Sequence, residues 1–249
     1  MARKIVVITG VSKGIGHALA KEFQWNGFQV IGISRTEPVQ AVDEWIQADL
    51  TDPQEISRAA AIIKHKYPHI NVLINNAGRG LYETWEKTDL EDLKDVFQLN
   101  FFSLLGITQK LLPMLKASEG TVINISSVAG KMPVACMGPY CTTKHAVNAL
   151  SDSLRIEMMP HNVNVLNVMP GRISTGFSNS CTGSRTAPST PGAKGGPEKL
   201  VAAIYKAYEQ GHHQLIFPKW YKWAIRISRF FPKWYARKNI QKWNLELEK

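Results

Sequence analysis

The sequence predicts an α/β fold in which a doubly wound parallel sheet is flanked by helices and followed by a basic, aromatic helical extension. Short apolar runs rich in β-branched residues, typical of strands buried on both faces, alternate with helical patterns. Repeated β–α units of this kind form parallel sheets with right-handed crossovers. The chain has 249 residues, of which 44% are hydrophobic and 20% charged. This composition suits one large globular domain.

Strands and helices alternate along residues 1–217 in this prediction. The strands are expected at 5–8, 28–33, 72–74, 121–125, 163–168 and 213–217. The helices are expected at 15–25, 54–67, 90–115, 140–158 and 198–210. This order is that of a Rossmann-like domain, and no linker divides it.

Residues 172–197 interrupt the alternation of strands and helices. The stretch 178–197 is rich in Ser, Thr, Gly and Pro and is not expected to hold a regular element. It follows the predicted strand at 163–168, and ligands bind at the carboxyl edge of such sheets. A loop of about twenty residues in a compact domain usually has a function. We therefore expect a substrate loop or lid over residues 172–197.

The cysteines and the hydropathy pattern argue against several classes of protein. Cys136, Cys141 and Cys181 show no CxxC spacing, which indicates reduced thiols rather than a disulfide framework or a zinc site. No metal site is expected.

The apolar run near the start has about five residues, fewer than the roughly 7–15 of a secretory signal. No stretch reaches the ~18 apolar residues of a membrane-spanning helix, so a cytoplasmic location is expected.

A glycine-rich turn, Thr9-Gly10-Val11-Ser12-Lys13-Gly14-Ile15-Gly16, joins the first predicted strand to the first predicted helix. Glycine permits a tight turn and the close approach of a pyrophosphate, and the helix N-terminus offers unpaired N–H groups. The turn therefore predicts nucleotide binding through Gly10, Ser12, Lys13, Gly14, Ile15 and Gly16. The alternative is that these glycines serve packing alone.

Further polar residues follow in a fixed order. Asn75-Asn76-Ala77-Gly78 ends a buried strand, Asn100 follows in a helix, and Ser127 lies thirteen residues before Tyr140. Tyr140 and Lys144 share a helix face because residues i and i+4 lie one above the other. Together with the TGxxxGxG turn and Pro170-Gly171, this order and spacing resemble the short-chain dehydrogenase/reductase family over residues 4–217.

The catalytic group that the resemblance implies has a chemical rationale. Tyr140 can donate a proton to a forming alkoxide, but a free phenol has a pKa near 10. An ammonium at Lys144 would lower that pKa, and Ser127 would hydrogen-bond the substrate oxygen. The resemblance further implies that Lys144 holds the nicotinamide ribose and that Asn100 links Lys144 to a proton-relay water. The alternative is an ordinary helix-surface pair of Tyr140 and Lys144.

Charge at the end of the second predicted strand indicates the cofactor. Family members that prefer NAD generally carry an acidic residue there, whereas this chain has Ser34 followed by Arg35, with Lys13 in the glycine turn. Two cations and a hydroxyl favour the 2′-phosphate of NADP(H), although both cations would also suit a solvated surface. The resemblance adds as cofactor contacts Asp49, Leu50, Asn76, Ala77, Gly78, Pro170, Gly171, Ile173 and Thr175, besides Tyr140 and Lys144. For Asp49, a turn that leads into a helix is the alternative.

The segment 218–249 differs from the rest of the chain in composition. Residues 212–249 contain nine Lys or Arg and two Glu, and contribute +7 of the net charge of +10. Cations recur every three or four residues, and so do the apolar residues Trp220, Trp223, Ala224, Ile227, Phe230, Phe231 and Trp234. Pro218 and Pro232 suit the first turns of two consecutive helices. Such helices are typical of an anionic membrane surface.

Two other uses of this segment remain open. Its aromatic residues would also suit packing on the protein's own core or on a dimer partner, whereas nucleic-acid binding is disfavoured. The resemblance itself implies a homodimer or homotetramer.

These observations and the resemblance predict an NADPH-dependent oxidoreductase. It would transfer a hydride between the nicotinamide and the carbonyl or secondary alcohol of a hydrophobic substrate such as a lipid, a steroid or a long-chain ketone. Residues 1–217 are expected to form the cofactor-binding and catalytic domain, and residues 218–249 the extension, which would place the protein on the cytoplasmic face of a membrane. One alternative is a reductase of small carbonyls whose extension serves oligomerisation. Another is a non-catalytic scaffold that binds NADPH.

Overall fold

A computed structural model describes residues 3–39, 42–188 and 196–245. Seven parallel strands form one sheet in the order β3-β2-β1-β4-β5-β6-β7. The strands are Ile5–Thr9 (β1), Gln29–Ser34 (β2), Glu44–Gln47 (β3), Val72–Asn75 (β4), Thr121–Ile125 (β5), Asn164–Pro170 (β6) and Gln214–Phe217 (β7). The predicted α/β fold, a doubly wound parallel sheet flanked by helices, is confirmed.

The helices between the strands cover both faces of the sheet. They are Gly14–Trp25 (α1), Pro53–Lys66 (α2), Leu90–Phe97 (α3), Ser103–Lys116 (α4), Gly138–Met158 (α5) and Glu198–Glu209 (α6). Helix α2 begins one residue before the predicted start. Asp52 accepts a hydrogen bond from the N–H of Gln54 at 2.7 Å, and Pro53 occupies the first position.

Alternating side chains of the strands bury two apolar layers. In β1, Val7 faces a layer to which α2 and α4 contribute Ile63 and Leu111. Its neighbour Val6 faces the opposite layer, together with Phe23 of α1. Since both faces of each strand are buried, the strands read as continuous apolar runs rather than alternating ones. The layered sheet presents the carboxyl ends of its strands at one edge.

Three features differ from the predicted elements. Strand β3 lies at the edge of the sheet and only Ile46 in it is buried, so it lacks the apolar run by which the other strands are recognised. The predicted helix at 90–115 is interrupted by a π-helical turn, Gln98–Phe102. The loop expected to hold no regular element forms a short 3-10 helix at Phe177–Ser180, and Thr182 forms an isolated bridge with Leu81. Residues 189–195 of that loop lie outside the described residues.

The extension consists of two short helices, Tyr221–Phe230 (α7) and Pro232–Lys242 (α8). Pro232 begins α8 as predicted. Pro218 instead precedes α7 and lies in a tight turn, in which its carbonyl accepts a hydrogen bond from the N–H of Tyr221 at 3.1 Å. Within the described parts of the chain, no helix has the length and apolar character needed to cross a bilayer.

Candidate functional site

A cleft with a volume of about 1000 Å³ lies across the carboxyl ends of the strands, where open α/β sheets bind their ligands. The predicted site residues that line it are Gly10, Ser12, Lys13, Gly14, Ile15, Arg35, Asp49, Leu50, Asn76, Ala77, Gly78, Ser127, Tyr140, Lys144, Pro170, Gly171, Ile173 and Thr175. Gly16 and Asn100 are buried behind the lining. Nearly all the predicted residues therefore meet at one cleft, although they come from distant parts of the chain.

The glycine turn has a backbone shape that suits a phosphate group. Gly10 and Gly14 have φ angles of +73° and +62°, in the left-handed region that favours glycine. Helix α1 follows, and the side chain of Lys13 at its start makes no capping hydrogen bond. The first N–H groups of α1 therefore remain available to an anion, and the pyrophosphate of a dinucleotide fits this turn.

Gly16 allows the start of α1 to pack closely against Gly10 and Asn76. A Cβ at this position would lie 2.1 Å from the carbonyl oxygen of Gly10 and 2.5 Å from Nδ2 of Asn76. The Asn76 amide in turn donates to the carbonyl oxygens of Thr9 and Gly10 at 2.9 and 3.1 Å. Gly16 thus has the packing role that the sequence left open, whereas Gly10 and Gly14 face the cleft.

Thr9 is a site residue that the sequence interpretation missed. Its Oγ1 accepts hydrogen bonds from the N–H groups of Asn76 and Ala77, at 2.9 and 3.0 Å. This hydroxyl ties the end of β1 to the end of β4 and fixes the two turns relative to each other. The signal was present, since Thr9 opens the TGxxxGxG turn at the end of a strand.

Asp49 has the turn role that the sequence offered as the alternative, and its contact with the cofactor stays a prediction. Its Oδ1 accepts hydrogen bonds from the N–H and Oγ1 of Thr51, at 2.9 and 2.8 Å, in the turn before α2. Its Oδ2 lies 3.7 Å from Nη1 of Arg35. Burial acts to raise the pKa of Asp49, but the hydrogen bonds from Thr51 and the charge of Arg35 together lower it below its ordinary value. The carboxylate therefore holds the Arg35 side chain at this end of the cleft.

Ser34 does not contribute a hydroxyl donor to a phosphate site, contrary to expectation. The residue is buried, its Oγ donates to the carbonyl oxygen of Thr36 at 2.8 Å, and it accepts from Nε1 of Trp45 at 3.1 Å. Because a hydroxyl has one proton, none is left for a ligand. The positive charge at this end comes instead from Arg35 and Lys13, both exposed at the cleft.

Tyr140 and Lys144 line the cleft as a buried pair on α5. Their exposed fractions are 7% and 5%, which excludes an ordinary helix-surface pair. The Nζ of Lys144 lies 5.8 Å from the centre of the Tyr140 ring and donates to the carbonyl oxygen of Ile125 at 3.0 Å. Ser127 lies at the end of β5, where its Oγ accepts from the N–H of Ala129 at 3.1 Å.

Burial dominates the proton affinities of this pair. It raises the pKa of Tyr140 above its ordinary value near 10, and the hydrogen bond with Ser127 lowers that pKa by less. Burial also lowers the pKa of Lys144 to about 8. The expected lowering of the Tyr140 pKa is therefore not found in the cofactor-free protein, because desolvation of the phenolate outweighs the hydrogen bond with Ser127. A phenol of this kind stays protonated at neutral pH.

Asn100 lies on the π-helical turn, an element often found at functional sites. Its Nδ2 donates to the carbonyl oxygen of Arg79 at 2.9 Å and to Oγ1 of Thr143 at 3.0 Å. Its Oδ1 accepts from the N–H of Arg79 at 2.9 Å. Asn100 therefore joins the segment after β4 to the turn of α5 that carries Tyr140 and Lys144. Its role in a proton relay stays a prediction.

The loop after β6 forms a wall beside the catalytic candidates. The Phe177 ring lies 5.9 Å from the Tyr140 ring, centre to centre. Farther along this loop, N and Oγ of Ser184 donate hydrogen bonds to the buried carboxylate of Glu83, at 3.0 and 2.5 Å. These bonds lower the pKa of Glu83 to about 2, so an ionised carboxylate fastens the loop at neutral pH.

The extension forms another wall of the cleft, in line with the alternative that part of it packs on the protein's own core. A Cβ added to Gly171 would lie 1.9 Å from the Tyr221 ring, so α7 packs directly on the end of β6. Tyr235 of α8 donates to the carbonyl oxygen of Pro133 at 2.8 Å. Lys238, Asn239, Lys242 and Trp243 also line the cleft. The division into a domain at 1–217 and an extension at 218–249 stays a prediction.

Among the described residues, no group of His, Cys, Asp or Glu could hold a metal ion. The three cysteines are free: Cys136 and Cys141 are buried and Cys181 is half-buried. The reactive groups that line the cleft include the phenol of Tyr140, the ammonium of Lys144 and the hydroxyl of Ser127, beside the glycine turn.

Comparison with curated proteins identifies relatives along most of the chain. A probable short-chain type dehydrogenase/reductase VdlC from Helicobacter pylori is 35% identical over 179 residues, covering 70% of this chain and 66% of that protein. An NADPH-dependent 3-dehydrocapnine reductase from Ornithobacterium rhinotracheale is 37% identical over 188 residues, covering 69% of this chain and 66% of that protein. The matches thus span about two thirds of these relatives' own length.

A solved structure and a family model agree with these relatives. A short-chain dehydrogenase from Streptomyces avermitilis shares the fold with a TM-score of 0.79 at 28% identity, covering 98% of this chain and 97% of that one. The sequence model of the family described as short chain dehydrogenase matches residues 4–185. The chain therefore belongs to the short-chain dehydrogenase/reductase family of oxidoreductases.

Proposed function

We propose that this protein is an NADPH-dependent oxidoreductase that acts on the carbonyl or secondary alcohol of a hydrophobic substrate. The observation that carries the proposal is the meeting of Ser127, Tyr140 and Lys144 in one cleft that also contains an anion-binding glycine turn. A scaffold that only binds a nucleotide would not need a buried phenol and ammonium side by side. When bound, the cofactor supplies or accepts the hydride.

Tyr140 is the proton donor for carbonyl reduction in this proposal. Burial keeps its phenol protonated at neutral pH, and Ser127 beside it donates a hydrogen bond to the substrate oxygen. The ammonium of Lys144 stabilises the phenolate that forms as the proton leaves. In alcohol oxidation the same groups act in reverse, with Tyr140 as the base.

Carbonyl reduction is expected to slow as the pH rises through about 8. The pKa of Lys144 is lowered to about 8 by burial, so above that pH the side chain loses the charge that stabilises the Tyr140 phenolate. The measurement is kcat/KM for ketone reduction at saturating NADPH, between about pH 6 and pH 10. A kcat/KM that does not fall as the pH rises through this range would contradict the role of Lys144.

NADPH is the proposed cofactor because Arg35 and Lys13 place two cations at the β2 end of the cleft. Replacing Arg35 by Ser should weaken NADPH by about tenfold or more and leave NADH nearly unchanged, since one charge-assisted contact to the 2′-phosphate is lost. Arg58, an exposed arginine outside the cleft, gives a matched control in Arg58→Ser. Equal weakening of both cofactors in the Arg35 variant would count against a 2′-phosphate contact.

A hydrophobic substrate is proposed because apolar side chains surround the catalytic candidates. Those that line this part of the cleft include Met132, Val134, Met137, Phe177, Tyr221 and Trp243. A panel of ketones of increasing chain length, reduced with NADPH, distinguishes this proposal from a reductase of small carbonyls.

We also propose a homodimer or homotetramer, as the family resemblance implies.

We further propose that the extension binds an anionic membrane surface. Ile225, Ser228 and Trp243 pack inward, whereas Trp220, Trp223, Phe230, Phe231 and Trp234 are between 54% and 76% exposed. Exposed aromatic residues interleaved with cations favour the headgroup region of a bilayer. These five aromatic residues therefore keep more than half of their surface exposed in a single chain, whereas Tyr221 and Trp243 pack against the cleft wall.

Trp223→Ser together with Phe230→Ser should reduce binding to phosphatidylserine-containing liposomes by about tenfold or more, since two large apolar side chains lose their burial. Trp25→Ser is the control, because Trp25 is 88% exposed on α1, outside the extension. Deleting residues 218–249 is a poorer test, since it removes a wall of the cleft. Liposome binding that survives in the double variant would refute the membrane proposal.

A further inference from the structure

We propose that the cleft holds a cationic subsite, formed by Lys238 and Lys242 of α8 beside Arg172, that binds an anionic group on the substrate. The substrate class is then a carbonyl compound with an apolar body and an anionic head group such as a carboxylate. This inference rests on the proposed oxidoreductase function and narrows it.

The two lysines lie at the catalytic end of the cleft. Between them in α8, Asn239 accepts a hydrogen bond through Oδ1 from the N–H of Ala135 at 3.3 Å. Ala135 belongs to the segment that connects Ser127 to Tyr140. Arg35 and Lys13 lie at the β2 end, whereas the extension follows β7 at the opposite edge of the sheet. The α8 lysines are therefore placed to meet the substrate rather than the adenosine half of a dinucleotide.

In the part of the chain that the structure describes, no carboxylate lines this end of the cleft. Glu37 and Asp49 are the acidic residues among the described lining, and both lie near Arg35. Within residues 3–39, 42–188 and 196–245, neither Lys238 nor Lys242 forms an ion pair. The Nζ of Lys238 donates a long hydrogen bond to Oε1 of Gln241, at 3.5 Å. A bound anion would supply the charge that the described protein does not.

Like charges are close together here. Burial, and next the charge of Arg172, lower the pKa of Lys242. The Arg172 guanidinium is held in place by a hydrogen bond to the carbonyl oxygen of Pro188. Arg172 and Lys242 are exposed at the cleft. Two cations near each other repel, and an anion between them would convert that repulsion into attraction.

An apolar wall adjoins the cations. Trp243 follows Lys242 and packs edge-on against Tyr82, with ring centres 6.3 Å apart. Tyr221 lies over Gly171, one residue before Arg172. Anion-binding groups next to aromatic rings suit an amphiphile better than they suit a small polar acid.

Reduction of oxodecanoate isomers, which carry the ketone at different carbons, and of their methyl esters tests the subsite. With NADPH, the acid should exceed its ester in kcat/KM by about tenfold or more for the isomer of matching length. Lys242→Gln and Lys238→Gln should each remove most of this preference, and Lys242→Arg should restore it. Lys233→Gln, an exposed lysine of α8 outside the cleft, should keep it.

Binding of decanoate, measured by calorimetry in the presence of NADPH, tests the subsite without turnover. Its Kd should rise by about tenfold in Lys242→Gln, while the Kd of NADPH stays the same. The subsite is overturned if decanoate does not bind, if the substitutions leave its Kd unchanged, or if they weaken NADPH instead. Decanoate binding with no reduction of any ketone would overturn the oxidoreductase proposal and leave the subsite standing.

Discussion

Tyr140→Phe is expected to lower kcat for ketone reduction by about 10³-fold, because the proposed proton donor is removed. The aromatic ring and its packing against Phe177 remain, so the Kd of NADPH should change little. The measurements are NADPH oxidation in the presence of a ketone and NADPH fluorescence on binding. Tyr205→Phe on α6, away from the cleft, serves as the control and should keep full activity.

This substitution also separates the enzyme from the scaffold. Full NADPH binding with lost turnover supports catalysis by Tyr140. If the variant retained more than about a tenth of the kcat, another group would have to donate the proton, since a positioned acid contributes at least about 10²-fold. If the unaltered protein reduced no ketone at all, the scaffold alternative would be favoured.

Gly16→Ala is expected to disrupt the glycine turn. The new Cβ would lie 2.1 Å from the Gly10 carbonyl oxygen and 2.5 Å from Nδ2 of Asn76, so the backbone has to shift. Overpacking of this kind costs about 1–3 kcal/mol. The shift moves the groups that would bind the pyrophosphate. NADPH affinity should therefore fall by about 100-fold, which corresponds to about 2.7 kcal/mol.

Gly106→Ala on α4 is the matched control, because a Cβ there would meet nothing closer than 3.7 Å. Alanine favours a helix interior by about 1 kcal/mol over glycine, so the control should keep its NADPH affinity and gain a little in Tm. Titration of NADPH fluorescence and thermal unfolding of both variants give the comparison. Unchanged NADPH affinity in Gly16→Ala would show that the turn does not position the cofactor.

Local signals explain which parts of the fold and the site are predictable from the sequence. The apolar runs of β1, β4 and β5 identify buried strands because both faces of each strand are covered. The glycine turn and the pair of Tyr140 and Lys144 are recognisable in the sequence because each motif lies within one short segment of the chain. Edge strand β3 is not predicted because it is short and mostly exposed. The π-helical turn is not predicted because it does not change the spacing of apolar residues along its helix.

Features that depend on distant contacts are not predictable in this way. The hydroxyl of Ser34 is used by Thr36 and by Trp45 of the neighbouring strand, which no pattern in the sequence indicates. The raised pKa of Tyr140 follows from burial in the folded protein, not from the spacing of Lys144. The extension reads as an amphipathic segment, but its packing over the cleft depends on contacts such as Tyr221 with Gly171.

In the function that we propose, the substrate is selected partly by α7 and α8, whereas the chemistry depends on other parts of the chain. The match to the family model ends at residue 185, before either helix begins. The proposed proton donor and the glycine turn both lie inside that match. If the proposal is correct, sequence changes in the last thirty or so residues alter which substrates the protein accepts. A chimera that takes only these two helices from a relative should then acquire that relative's substrate preference and keep its own catalytic residues.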